Sequence, residues 1–135
     1  LNKADDFFSK GFQLVKFQKY WVLNSHMDSG RGQDSIEARG LQFKQITEAF
    51  TRLVPPNDPI FIGMDSNLRP GREAQDGEVL QEFLQSNGLT LVRHSGPDLI
   101  AVRNLPVQHP QSLLLKDVLS DHNALTVIIE TLEDS

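Results

Sequence analysis

The stretch Pro59-Ile60-Phe61-Ile62-Gly63-Met64-Asp65-Ser66-Asn67 decides the fold that we predict for this chain. Its apolar run lies between a proline and a glycine, which is typical of a short buried strand. The run ends in a carboxylate, a hydroxyl and a carboxamide. Because alternate residues of an extended chain point to the same side, we expect Asp65 and Asn67 to project together from the end of the strand.

Two such side chains suit a hard divalent cation. Mg²⁺ takes one or two protein oxygen ligands and leaves room for substrate phosphate. An isolated Asp-x-Asn more often closes a turn after a strand. The rest of the chain therefore decides between a cation site and a plain turn.

A hairpin is predicted upstream of this stretch. Residues 11–17 alternate apolar and polar side chains, and Tyr20–His26 is more continuously apolar and therefore more central in a sheet. The polar link Gln18-Lys19 favours a tight connection, although it lacks the usual Gly or Asn. Residues 1–10 show no clear period, and Trp21 is expected in the core.

A helix is predicted between the hairpin and the opening stretch. From Ser35 to Leu53, apolar residues recur mainly at three- and four-residue steps, and Asp34 or Ser35 can cap the start. The prolines up to Pro59 end the helix. The segment is long enough for a helical crossover between parallel strands.

Shorter elements follow. Residues 77–86 have a helical pattern, and Asn87-Gly88 is a typical helix stop. Strands are predicted over 89–92, 98–102, 113–118 and 123–132. His94 and His109 fall in loop or turn sequence, and we interpret both as surface residues. The predicted class is α/β (α+β), with more strands than helices.

Length and composition exclude several classes of function. The 135 residues suffice for one domain with a hydrophobic core, and we treat 1–135 as a single unit. The net charge of −5 lacks the basic surplus of a pure nucleic-acid-binding protein, although a bound cation can supply a local positive field. The absence of cysteine excludes disulfides, thiolate zinc sites and cysteine nucleophiles.

The sequence assigns no cellular compartment. No apolar run approaches the ~20 residues of a membrane-spanning helix, and no signal-peptide pattern is visible, so we expect a soluble protein. Because the chain opens on Leu1 rather than on methionine, we also expect a processed product or a fragment.

Polar residues of the metal-binding or acid–base type occur at the ends of four predicted strands. Strand ends are where α/β folds commonly build their sites. The four positions are His26, the pair Asp65 and Asn67, Asp98, and the tripeptide Ser120-Asp121-His122.

These four positions resemble, in order, motifs of the endonuclease/exonuclease/phosphatase family, which has the deoxyribonuclease I-like fold. Asn24-Ser25-His26-Met27 resembles its N-T-H-L strand, and Gly63-Met64-Asp65-Ser66-Asn67 resembles its G-D-x-N with one residue added. Pro97-Asp98-Leu99-Ile100-Ala101-Val102 is similar to its I-D-Y-I strand, and Ser120-Asp121-His122 matches its S-D-H. Arg39-Gly40-Leu41-Gln42 is similar to the R-x-x-Q helix of the sphingomyelinase-like branch.

The resemblance implies a role for each residue around a metal ion. Asp65 and Asn67 would hold and orient the metal, the scissile phosphate and the attacking water. Asp121 would be a metal ligand, and the metal would be Mg²⁺, with Mn²⁺ or Ca²⁺ as alternatives.

The resemblance also implies the acid–base and substrate-binding groups. His122 would act as general base or position the water, and Asp98 would fix its tautomer through a hydrogen bond. His26 would contact a phosphate oxygen and stabilise the charge that develops there. Arg69 follows a site strand and is assigned to substrate binding, with an exposed loop arginine as the plainer alternative.

The resemblance extends over about the second half of the family's fold, which is a two-layer β-sandwich flanked by helices. Members are considerably longer than this chain, and their first half carries an Asn and a metal-binding Glu on early strands. We find neither motif here, and we expect an incomplete metal site and one uncovered sheet face.

Two functions remain open from the sequence. The first is a metal-dependent phosphoesterase whose substrate is nucleic acid, a phospholipid headgroup or an inositol phosphate. The second is a catalytically incomplete half-domain that acts as a binding or interaction module, or is a truncated gene product.

Overall fold

The computed structural model describes residues 5–9, 12–27, 32–71, 73–105, 107–113 and 124–129. The described residues form eight strands and two helices. In chain order these are β1 (Asp5–Ser9), β2 (Phe12–Phe17), β3 (Tyr20–His26), α1 (Gln33–Leu53), β4 (Ile60–Asp65), α2 (Ala74–Asn87), β5 (Thr90–Ser95), β6 (Asp98–Arg103), β7 (Val107–Leu113) and β8 (Ala124–Ile129).

Six of these strands form one sheet with the order β1-β2-β3-β4-β6-β5, and β7 pairs with β8 in a second sheet. The pairing of β3 with β4 is parallel, whereas the other pairings in both sheets are antiparallel. α1 makes the crossover between the two parallel strands, as the sequence predicts. The mixed α/β class is confirmed.

The predicted hairpin of β2 and β3 is confirmed. Phe17 pairs with Tyr20, so Gln18 and Lys19 form the two-residue connection. Gln18 adopts a φ of 55°, the left-handed conformation that tight hairpin turns require. β1 was not predicted because its adjacent acidic and aromatic pairs show no alternation. It is held at the sheet edge by its pairing with β2, in which Phe7 lies opposite Leu14.

Both helices begin earlier than the sequence pattern indicates. α1 starts at Gln33 after Gly32, and no side chain caps its amino terminus, so the predicted cap by Asp34 or Ser35 is wrong. Asp34 lies instead in the first turn, where a carboxylate interacts favourably with the helix dipole.

α2 begins at Ala74, three residues before the predicted start at residue 77. The sequence pattern misses the first turn because that turn is polar and carries no apolar period. Its end is predicted correctly. Asn87 is the last helical residue, and Gly88 has the left-handed conformation with φ 62°.

β7 spans Val107–Leu113, and most of this strand was not predicted from the sequence. Residues 114–118 lie outside the described residues, so the strand predicted over 113–118 stays a prediction beyond Leu113. The prolines around this segment usually mark turns, so the sequence does not indicate a strand there. Pro110 lies inside β7, where the pairing with β8 shifts register between Gln108 and Gln111. A proline cannot donate a ladder hydrogen bond, so strands accept it at edges and irregularities of this kind.

The helices cover one face of the large sheet. The core includes fully buried aliphatic side chains from that face and from α1, among them Leu14, Leu23, Ile46, Ile60 and Ile62. Each such side chain contributes about 1.5–3 kcal/mol through the hydrophobic effect. Trp21 belongs to this core, as predicted, and so does Phe43.

The opposite face of the sheet is less covered around β2 and β3. Phe17 is 48% exposed and Val22 is 36% exposed, and strand alternation places both on the face away from α1.

Among the described helices, none is long and apolar enough to span a bilayer.

Candidate active site

Three predicted site residues lie in register across neighbouring strands. His26 ends β3 and pairs with Asp65 at the end of β4, and Asp65 lies directly opposite Asp98 at the start of β6. Paired residues of adjacent strands project from the same face of a sheet. One edge of one sheet face therefore carries an imidazole and two carboxylates in a row.

The imidazole of His26 contacts the carboxylate of Asp65. The Nε2 atom of His26 lies 3.3 Å from Oδ2 of Asp65, and this contact becomes an ion pair when the imidazole is protonated. The side chain of His26 is 74% exposed, whereas that of Asp65 is 17% exposed. The histidine thus lies at the solvent side of a mostly buried acid.

Asn67 does not continue the strand in extended conformation, which corrects the geometry expected from its spacing. β4 ends at Asp65, and Asn67 has a φ of 53°, in the left-handed region. Its backbone N–H donates to Oδ1 of Asp65 at 3.1 Å, which closes a turn of the Asx type. The plain turn and the proposed site are therefore the same local structure.

The side chain of Asn67 crosses to the neighbouring strand. Its Nδ2 donates a 2.7 Å hydrogen bond to the backbone oxygen of Met27, directly after β3. The backbone N–H of Met27 in turn donates to the backbone oxygen of Asp65 at 2.9 Å. These two bonds fix the ends of β3 and β4 relative to each other and orient the Asn67 amide.

Ser66 is a site residue that sequence reasoning missed. It is fully buried, and its Oγ donates to the backbone oxygen of Pro97 at 2.6 Å and accepts from the Leu68 N–H at 3.1 Å. Its own N–H also donates to Pro97 at 2.8 Å. Ser66 therefore joins the β4 end to the turn that delivers Asp98.

A buried ion pair supports the loop after Asn67. Nη2 of Arg39 lies 3.6 Å from Oδ1 of Asp76, and both side chains are 1% exposed. Oδ2 of Asp76 accepts a 3.0 Å hydrogen bond from the backbone N–H of Arg69. The sequence motif includes Arg39, but nothing local in the sequence indicates that Asp76 is buried.

The exposed side chain of Arg69 lies at a cavity of about 590 Å³ beside the turn before β6. His94 also lines this cavity and lies in β5, so its interpretation as a loop residue is wrong. Its Nε2 is buried and makes no hydrogen bond within the part of the chain that the structure describes. β5 carries a bulge between Leu91 and Arg93, which explains its weak sequence signal.

Asp121 and His122 lie outside the described residues, so the predicted contact between Asp98 and His122 stays a prediction. Within the described ranges, no three His, Cys, Asp or Glu side chains form a cluster able to hold a metal ion. Of the expected metal ligands, the described residues include Asp65 and Asn67, which the hydrogen bond from the Asn67 N–H to Oδ1 of Asp65 holds together.

Part of the chain is similar in sequence to a longer curated protein. No protein-family model matches the chain. Over 101 residues it is 37% identical to Exocyst complex component EXO70A3 of Arabidopsis thaliana, which covers 72% of this chain and 17% of that protein. The chain thus spans only a small part of that relative's length.

Several solved structures are similar to the chain. An AP endonuclease from Archaeoglobus fulgidus has a TM-score of 0.71 at 12% identity. The match covers 96% of this chain and 72% of the endonuclease chain. TDP2 of D. rerio complexed with single-strand DNA product gives 0.63 at 16% identity, with coverages of 96% and 67%. A beta toxin mutant of Staphylococcus aureus with bound magnesium ions gives 0.50 at 13% identity, with coverages of 88% and 52%.

These structures share one fold, and the chain spans between half and three quarters of each. Their low sequence identities make the comparison one of architecture. The fold class predicted from the sequence is confirmed: the chain has a mixed α/β, deoxyribonuclease I-like fold.

Proposed function

We propose that this chain is the second half of a divalent-metal-dependent phosphoesterase of the endonuclease/exonuclease/phosphatase family. The observation that carries the proposal is the row formed by His26, Asp65 and Asp98. Two carboxylates directly opposite each other on antiparallel strands repel, so stability alone disfavours this pair. A cation held at Asp65 would offset the repulsion between the two carboxylates and so supports the proposal.

The metal that the family implies is Mg²⁺, with Mn²⁺ or Ca²⁺ as alternatives. The described donors, one carboxylate and one carboxamide, are of the hard oxygen type that Mg²⁺ prefers, and Mg²⁺ commonly uses one or two carboxylates together with substrate oxygens. Asp65, Asn67 and Asp121 would hold it. The ion would act as a Lewis acid on the phosphoryl oxygen.

The residues of the chain have separate tasks in this proposal. The hydrogen bond from Asn67 to the Met27 oxygen orients the Asn67 amide, so its oxygen is presented in a fixed direction. His26 is exposed enough to donate from its imidazole to a phosphate oxygen. Asp65, which contacts Nε2 of His26, holds that ring in position.

Proton transfer to and from the attacking water is assigned to His122, which Asp98 would orient through a hydrogen bond. This assignment rests on the Ser120-Asp121-His122 motif and on the position of Asp98 beside Asp65. A positioned base of this type contributes roughly 10²–10⁴-fold to a reaction rate.

Nucleic acid is the substrate class that we test first. Two structurally similar proteins favour this class: one is an AP endonuclease, and the other is a TDP2 complexed with single-strand DNA product. Arg69, exposed at the cavity beside the β4–β6 edge, is placed to contact a phosphate outside the reacting group. A phospholipid headgroup and an inositol phosphate are the other candidate substrates.

A binding module is the second candidate function, and the exposed sheet face favours it. Phe17 and Val22 are large apolar side chains on a face that a second β-layer would cover. We propose that the first half of the same domain packs there and contributes the missing metal-binding Glu. If no such half exists, that face is available to another partner.

The test is a phosphoester hydrolysis assay in two forms of the protein. The first form is this chain, and the second includes the residues encoded before Leu1. Each is assayed on single-stranded DNA, sphingomyelin vesicles and an inositol polyphosphate, with Mg²⁺ and with EDTA. Mg²⁺-dependent turnover in either form, abolished by His122→Ala, supports the enzyme. No turnover in both forms on all three substrates supports the binding module.

A further inference from the structure

α1 and α2 enclose a groove of about 690 Å³ that contains none of the candidate site residues. Its floor is apolar: the rings of Phe43 and Phe83 meet edge to face with centroids 4.9 Å apart, and Val79 lines the same wall. Leu41, at the rim, is 60% exposed. An apolar groove with an exposed leucine at its edge is typical of a docking surface.

The rim of the groove is acidic. Glu37 and Glu48 of α1 and Glu78 and Glu82 of α2 line it, against one basic residue, Lys44. Glu78 and Glu82 are four residues apart, a spacing at which like charges destabilise a helix, and α2 contains no Lys or Arg that could offset them. Helix stability does not explain this charge, whereas a cationic ligand does.

The groove is held open at both ends. The buried contact between Arg39 and Asp76 joins the helices at one end, and Nδ2 of Asn87 donates to Oγ1 of Thr47 at 3.0 Å at the other. Because a buried contact at one end and a partly buried hydrogen bond at the other join the helices, the two walls are positioned before any ligand binds. A groove of this kind loses little conformational freedom on binding.

Gly40 leaves space at the centre of the α1 wall. A Cβ atom at this position would meet no described heavy atom within 4 Å, so packing does not require glycine. Glycine also destabilises a helix interior relative to alanine. Its presence in the groove lining is explained if a ligand approaches the α1 backbone there.

We propose that this groove binds a basic amphipathic helix of a partner protein. The apolar face of that helix lies between α1 and α2, with residues at i, i+3, i+4 and i+7 over the phenylalanine floor, and its Lys and Arg residues face the four glutamates. A helix fits better than a strand because both walls are helices and offer no backbone ladder. α1 and α2 themselves carry no basic face, so the described helices of a second copy do not supply the occupant. The proposal is independent of the hydrolase assignment.

The test uses a synthetic Leu/Lys amphipathic peptide of about five helical turns and a scrambled peptide of equal composition. Binding is measured by fluorescence anisotropy and mapped by amide chemical shifts. We expect chemical-shift changes at Leu41, Val79 and Phe83. We also expect the amphipathic peptide to bind more tightly than the scrambled peptide. Gly40→Leu, which fills the groove without a backbone clash, should weaken binding about tenfold, with circular dichroism confirming the helices.

Charge variants separate specific docking from general attraction. Glu78→Gln with Glu82→Gln should weaken binding about fivefold at low salt and reduce its salt dependence. Asp34→Asn, an exposed acid of α1 outside the groove, should leave binding unchanged. Four results would each overturn the proposal. The first two are an equal loss of affinity in both charge variants and an unchanged affinity in Gly40→Leu. The other two are binding to anionic vesicles through the same residues and a self-association that the peptide displaces.

Discussion

Asp65 and Asp98 lie directly opposite each other on β4 and β6, with His26 paired to the other side of Asp65. Opposed carboxylates cost stability unless a cation lies between or beside them. This juxtaposition links the fold to the proposed chemistry, because a cation held at Asp65, as we propose, would offset the repulsion between the two carboxylates.

Asp98→Asn should therefore stabilise the metal-free protein while it lowers the reaction rate. Relief of the repulsion is worth about 0.2–1 kcal/mol in the free energy of unfolding, measured by urea denaturation in EDTA. Loss of the carboxylate that orients His122 should lower turnover by about 10²-fold or more. A variant that is less stable and fully active would contradict both assignments.

His26→Gln should change activity and leave stability nearly unchanged. The side chain is 74% exposed, so its replacement should alter the free energy of unfolding by less than about 0.5 kcal/mol. Turnover should fall by about 10²-fold because the donor to the phosphate is lost. Gln81→Ala, at an exposed residue of α2 outside the candidate site, is the control and should retain full activity.

Substitutions at Asn67 should separate backbone strain from side-chain function. Asn67→Ala should be about 1 kcal/mol less stable than Asn67→Gly, since glycine accepts the φ of 53° without strain. Both variants should lose turnover, because neither offers an amide oxygen or a bond to Met27. Equal stability of the two variants would show that the left-handed turn is absent in solution.

Removal of the Ser66 hydroxyl should destabilise the site edge. Ser66→Ala leaves the buried Leu68 N–H without its acceptor, at a cost of about 1–3 kcal/mol by urea denaturation. Thr51→Val removes an exposed hydroxyl that bonds only the helix backbone in the described contacts, and it should cost far less. A similar loss of unfolding free energy in both variants would show that the hydrogen bonds of Ser66 stabilise the protein no more than the exposed bond of Thr51 does.

The buried pair Arg39 and Asp76 should show non-additive effects on stability. Asp76→Ala leaves a buried guanidinium without this carboxylate and should cost about 3–5 kcal/mol. The double variant Arg39→Met with Asp76→Leu should be more stable than either single variant, because no charge remains buried. Additive losses in thermal unfolding would exclude coupling between the two side chains.

The sequence predicts the strands that carry the site better than the contacts that hold it. β3, β4 and the crossover helix are visible because each has a strong apolar period and clear breakers. The left-handed turn at Asn67, the burial of Asp76 and the edge strand β1 are not visible, since tertiary contacts decide them. Most of β7 was not predicted because prolines, which usually mark turns, here accompany an irregular strand.

The measurement that tests the central claim most directly is the turnover rate of Asp65→Asn as a function of Mg²⁺ concentration. The rate is measured on a fluorescent single-stranded DNA substrate, in whichever form of the protein is active. Asp34→Asn is the charge-matched control. We predict that the parent and Asp34→Asn require Mg²⁺ equally, and that Asp65→Asn loses about 10²-fold in rate and needs more Mg²⁺. Equal rates and equal Mg²⁺ requirements for Asp65→Asn and the parent would contradict the account.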